Sequence, residues 1–176
     1  MEYVRIVSSY KPTEEMINFF KERTEQHINR VRNNLNRLSK ILPSFSRQLL
    51  ERGVNHDKSK YSDEELVPYI HLTWFHKCKN DPKLENYTYP EGVEEQTDKA
   101  WIHHEKNNRH HIGYHSSPSD MNIIDLAELV CDCAAMSQEL NSSLKDWIVN
   151  NTLKNDFTNK QKNIILKLTD YFKELG

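Results

Sequence analysis

Four of the nine histidines in this chain fall at positions 103, 104, 110 and 111. Helix propensity gives no reason to choose His so often in so short a stretch, so the cluster calls for a chemical cause. On a helix, residues four or seven apart share a face. His104, Asn108 and His111 therefore align, and so do His103, Asn107 and His110. Either triplet presents two imidazoles to one cavity. The alternative is a polar face with exposed histidines.

Other stretches supply donors of the same kind. His27 adjoins Ile28 and lies on a stripe with Val31 and Leu35, so its side chain is predicted to point inward. His56-Asp57 joins an imidazole nitrogen to a carboxylate oxygen at consecutive positions, a pair suited to Mn, Fe, Zn, Ni or Mg. Asp125, Glu128 and Asp132 form a carboxylate stripe beside Leu129. Burying such charges without a cation or a proton costs several kcal/mol.

Cys78, Cys131 and Cys133 make neither a disulfide framework nor a CxxC zinc pattern. Cys131 and Cys133 would point about 200° apart on a helix, which leaves a nitrogen and oxygen site. Both are read as core, as are Trp74, Trp101 and Trp147. Lys60 and Arg109 are the cations expected to meet a phosphate, one as a point charge and the other as a planar fork. Asn108 either orients a water or a ligand, or caps a helix. Glu128 is a supporting carboxylate or a general base. Tyr114, in the loop after the cluster, is the aromatic expected to touch substrate.

Helices must position these groups. Thr13 caps a first helix carrying Phe20, His27, Val31, Leu35 and Leu38 and ending near Pro43. A second runs from about Ser44 to Arg52, with Gly53 as terminator before His56. Ser62 and Glu65 form a capping-box pattern for a third through Leu66, Ile70, Trp74 and Phe75, with a kink expected at Pro68. Residues 80–92 read as a loop bordering the site, and a fourth helix runs from Val93 to His110 or His111. After HIGYHSSPSD, Asp120 caps a fifth through Met136. Amphipathic segments at about 143–153 and 158–174 complete six or seven helices as packing elements.

The chain of 176 residues has room for one domain and a genuine core. With 36% hydrophobic and 28% charged residues and only four glycines, it is expected to be all-α. A net charge of −2 gives no bulk case for nucleic acid or anionic membrane. No stretch approaches the roughly 20 apolar residues of a membrane span. MEYVRIVSSYKPTEE lacks a signal peptide's apolar core, so a cytosolic protein is expected.

The order His27, His56-Asp57, two or more histidines near 104 and 111, then Asp132 resembles the HD-domain phosphohydrolase superfamily. Those are helical proteins with a His, His-Asp, Asp metal set and, in binuclear members, two further histidines before the last Asp. HDKSK, with Lys60 three after Asp57, looks like the HDxxK form of many such proteins. HDKSKYSDEE, HHEKNNRHH and the helix containing Asp132 are similar to a family of uncharacterised small phage and bacterial proteins. The likeness spans about residues 20–140.

The resemblance implies a single HD-like helical bundle with His27, His56, Asp57 and Asp132 as a first metal set, Asp57 bridging. His104 and His111 would complete a second, with His103 and His110 as alternates. The gap between 104 and 111 is shorter than is usual in binuclear members, which leaves that register and the second ion open. One or two divalent ions (Mn, Fe, Mg, Co, Ni or Zn) would serve a phosphohydrolase acting on a nucleotide or other small phosphate ester. Asp57, Lys60, Arg109 and Glu128 would act in catalysis, and Lys60, Asn108, Arg109 and Tyr114 at substrate. A di-iron oxygenase and a non-catalytic nucleotide-binding protein are the alternatives. The implied setting is the cytoplasm of a bacterium or phage-infected host, with a homo-oligomer left open.

Overall fold

Thr13 starts the first helix as predicted: its hydroxyl accepts the Met16 N–H at 3.3 Å, and Glu14 and Glu15 follow in the first turn, where the helix dipole favours them. The computed structural model describes residues 11–173, so the amino-terminal residues 1–10 assessed above for a signal peptide lie outside the described residues. The described helices are α1 (Glu14–Ile41), α2 (Ser46–Asn55), α3 (Leu66–Asn80), α4 (Val93–Asn107), α5 (Ile123–Leu140), α6 (Leu144–Asn150) and α7 (Asn159–Lys173). Short 3₁₀ turns at Lys58–Tyr61 and Ile112–Tyr114 flank the histidines. Among the described residues there is no strand, and the fold is all-α. None of their helices is long and apolar enough to cross a membrane.

Helix α1 is the spine, because its inward stripe serves two apolar clusters. Met16 and Phe20 pack with Tyr69 and Ile70 of α3 and Ala100 of α4. Val31, Leu35 and Leu38 pack with Leu49 of α2, Leu126 and Val130 of α5, and Ile165 of α7. His27 falls between these clusters along the same buried stripe. Helix α5 is held against α1 by polar ties as well: Asn34 Nδ2 donates to the Cys131 carbonyl at 3.2 Å, and Arg23 Nε donates to Glu139 at 2.8 Å.

Several boundaries differ from the sequence reading for local reasons. Gly53 does not end α2; it lies inside the helix, where an added β-carbon would stand 3.4 Å from Arg32 Cα of α1. Close crossing of two helices, not termination, explains it. Glu65 is not a capping-box acid, because its buried carboxylate reaches His103 and His104 instead. Pro68 occupies the first turn of α3, where a missing N–H breaks no helical bond. Asn122, not Asp120, caps α5, accepting from Ile124 and Asp125 N–H groups while Asp125 accepts the Asn122 N–H. Asp120 closes a smaller box with Ser117.

Helix α4 ends at Asn107 rather than at His110 or His111. Asn108 turns to extended backbone, and its side-chain amide donates to the His104 carbonyl at 2.8 Å and to Ser59 Oγ at 2.7 Å. The histidines after it therefore reach the interior from a loop. Trp101 and Trp147 are not core residues: they are 47% and 50% exposed. The two-cluster core makes a direct prediction. Replacing fully buried Leu35 by Ala should cost about 2–5 kcal/mol, read as a lowered urea midpoint; a change below about 1 kcal/mol would contradict this packing.

Candidate metal centre

The centre begins with an abrupt end to α2. His56 leaves helical geometry (φ −53°, ψ 128°), and Asp57 adopts the left-handed region (φ 54°, ψ 20°), which Asp tolerates better than most residues. The Asp57 carbonyl then accepts the Lys60 N–H at 3.0 Å, starting the next 3₁₀ turn. This reversal leaves His56 and Asp57 only 2% and 1% exposed.

The two oxygens of Asp57 face different imidazoles. Oδ2 lies 3.6 Å from His27 Nε2 and 3.7 Å from His56 Nε2. Oδ1 lies 3.3 Å from His104 Nε2 and 3.6 Å from His110 Nε2. Asp132, arriving on α5, places Oδ1 at 3.0 Å from His27 Nε2 and 3.6 Å from His56 Nε2. Three sets bring their donor atoms within 4.8 Å of one another: Asp57, His104, His110 and His111; His27, His56 and Asp57; and His56, His110 and Asp132. His56 Nε2, Asp57 Oδ1 and His111 Nε2 are buried without a hydrogen bond. Buried, unbonded donor atoms of this chemistry, set among imidazoles and carboxylates that converge from four parts of the chain, are what a cation needs. The cluster can hold a metal ion.

Carboxylates behind the rings set which nitrogen faces inward. His56 Nδ1 donates to Glu128 Oε1 at 2.9 Å, and His104 Nδ1 donates to Glu65 Oε2 at 2.8 Å, so each ring turns its Nε2 to the centre and, when neutral, offers the lone pair there. Such outer partners fix tautomer and orientation in metal sites. Glu128 is braced in turn by Arg52 Nη1 at 2.6 Å, and Arg52 Nη2 also reaches Asp125 at 2.5 Å. The sequence reading assigns Arg52 no role. Its signal was the carboxylate stripe on α5, two of whose members find an arginine rather than a metal.

Electrostatics follow from this crowding. Burial opposes a charge on His56, yet Asp57, with Asp132 and Glu128, raises its pKa to about 10. Burial is likewise outweighed at Asp57, which His56 and Lys60 hold well below the usual carboxylate range. His111 is pushed down to about 3 by burial and by His110 and His104. Without a cation, the carboxylates thus keep a proton on His56, while His111 stays neutral.

The sequence-predicted residues divide accordingly. His27, His56, Asp57, His104, His111 and Asp132 converge, and His110 joins them. His103 does not: its Nδ1 donates to the outer oxygen of Glu65 at 2.7 Å. Lys60 lies at the centre, with Nζ 2.6 Å from Asp57 Oδ2. Arg109 is turned elsewhere, its Nε and Nη2 each donating to Asp125 at 3.1 Å. Tyr114 covers that guanidinium, 4.9 Å from ring centroid to Cζ. Asn108 is the α4 cap described above, and Glu128 supports His56. The 80–92 loop packs on α3 through Tyr87, whose hydroxyl lies 2.6 Å from His71 Nδ1. Tyr69, also unanticipated, has a buried hydroxyl and a ring 5.5 Å from that of His104.

A family of unknown function, DUF5662, matches residues 16–171, which takes in every residue of the centre. The chain belongs to DUF5662. No curated protein and no solved structure matches it. For this DUF5662 chain, the chemistry of the site therefore rests on its own residues.

Two predictions follow from the carboxylate-backed rings. A metal needs the neutral ring of His56, so binding must displace the proton that the raised pKa retains. Apparent affinity should rise with pH, and calorimetric heats should scale with the buffer's ionisation enthalpy; heats indifferent to buffer would contradict this. Glu65→Gln should weaken metal binding about 10–100-fold in competition with a chromogenic chelator, while His103→Ala, which removes only the second donor to Glu65, should weaken it less. A Glu65→Gln variant that binds metal as tightly as the parent would contradict His104 as a ligand.

Proposed function

We propose that this chain is a metal-dependent phosphohydrolase acting on a nucleotide or another small phosphate ester, with a two-ion centre of the HD type. His27, His56, Asp57 and Asp132 would hold one ion, and Asp57 with His104, His110 and His111 the other. One observation carries the reading: a single buried carboxylate turns each oxygen to a different imidazole set and has a lysine ammonium 2.6 Å away. Five imidazoles and two carboxylates favour Mn, Fe, Co, Ni or Zn over Mg, which prefers oxygen ligands.

Divalent ions bound there would polarise a phosphoryl oxygen and acidify water. The residues of the chain do the rest. Asp57 holds the two ligand sets in register, while Glu128 and Glu65 keep the His56 and His104 rings in the ligating tautomer. Lys60, whose ammonium lies 2.6 Å from Asp57 Oδ2, would stabilise the negative charge that builds on the phosphoryl group. Water adds to phosphorus, the ester P–O bond breaks, and the alcohol leaves with a proton. No Ser or Cys nucleophile is needed. Cys133, close to the centre, has its pKa pushed up to about 12 by burial and stays a thiol.

The test is phosphate release across a panel of phosphate esters, with metal content measured on the same samples. Two ions per chain are expected, with metal-dependent release. Lys60→Ala should lower kcat on the order of 10²-fold without loss of metal. No release with Mn, Co, Ni, Fe or Zn would reject the hydrolase, and tightly held iron with dioxygen uptake would assign an oxygenase instead.

A further inference from the structure

A cleft of about 340 Å³ leads to the centre, and His110, His111 and Asp132 form its inner end. This volume lies at the small end of ligand pockets and suits one compact, ring-sized group. Its walls carry Trp101 of α4 and Trp147 of α6. Both indoles are about half exposed, 47% and 50%, an unusual state for two large apolar rings beside one cleft. Trp101 is anchored over the ligands themselves, with its ring 5.7 Å from that of His111 and 6.3 Å from that of His104.

The charge of the cleft is equally informative. Among the described residues, no Lys or Arg lines it, and its only acidic side chains are Glu105 and Asp132. Lys60 is the cation at the centre, and Arg109 is held by Asp125. A chain of phosphates running outward would meet no counter-charge and would face Glu105. A single phosphoryl group at the centre would have Lys60 and the bound ions as counter-charge, while the rest of the molecule would meet the indoles and the neutral Asn151 and Asn155 that also line the cleft.

We infer that the Trp101–Trp147 cleft binds the planar aromatic part of the substrate, so that the preferred ester is a monophosphate bearing one ring system of nucleobase size. This rests on the phosphohydrolase reading above and adds the substrate class to it. Stacking on indole is tolerant of base identity, so the cleft selects for a flat ring and against a polyphosphate rather than for one base.

The test uses the whole zinc-loaded protein, because Zn²⁺ has a filled d shell and no redox chemistry. Adenosine and cytidine 5′-monophosphates, ribose 5-phosphate and adenosine 5′-triphosphate are titrated while indole fluorescence is followed, and phosphate release is measured in parallel. At least one nucleoside monophosphate should perturb the fluorescence and bind about tenfold tighter than ribose 5-phosphate. The triphosphate should bind no tighter than the monophosphate. Trp101→Ala and Trp147→Ala should each reduce the nucleotide's advantage over ribose 5-phosphate in binding; Trp101→Phe and Trp147→Phe, which keep a flat ring, should restore most of it. Ribose 5-phosphate binding as tightly as both nucleotides, or a clear preference for the triphosphate, would overturn the inference while phosphate release upheld the hydrolase. Ring-dependent binding lost in the Ala variants, with no phosphate released from any ester, would uphold the aromatic cleft and reject the hydrolase.

Discussion

Everything around the centre is arranged to keep one buried carboxylate charged. Asp57 is 1% exposed, and an ionised carboxylate in that position is unfavourable by several kcal/mol unless cations and hydrogen-bond donors surround it. The chain meets this need with Lys60 on one oxygen and imidazoles on both. The left-handed backbone at Asp57 is part of the same arrangement, because it stops α2 and turns the side chain inward instead of along the helix.

From that constraint the outer organisation follows. Imidazoles facing a carboxylate must present the correct nitrogen, and for His56 and His104 an acceptor behind the ring does this; Glu128 and Glu65 serve there. Those carboxylates are buried too and need partners of their own, which brings in Arg52 for Glu128 and His103 as a second donor to Glu65. Asp125 extends the network by tying Arg52 to Arg109. The layer lies between the two apolar clusters that α1 joins, so the hydrophobic core positions the polar site by flanking it on both sides.

The long helices and the inward direction of His27 were legible in the sequence, because both follow from the apolar stripe through Phe20, Val31 and Leu35. Asp132 was legible as a member of a carboxylate stripe that needed cations, although which member met which cation was not. The register of the histidine cluster was hidden for a physical reason: His104 is chosen over His103 by Glu65, a residue 39 positions away that looked locally like a helix cap. Arg109 was misplaced because its partner, Asp125, comes from the next helix. Trp101 and Trp147 sit on helices where a large apolar ring reads as core, and only the packing of α4 and α6 leaves them facing a cleft. Anomalous diffraction from crystals of the manganese- or iron-loaded protein tests the central claim most directly. The account predicts one peak among His27, His56, Asp57 and Asp132 and a second across Asp57 against His104. A single peak away from Asp57, or no ordered metal in a folded, loaded chain, would contradict it.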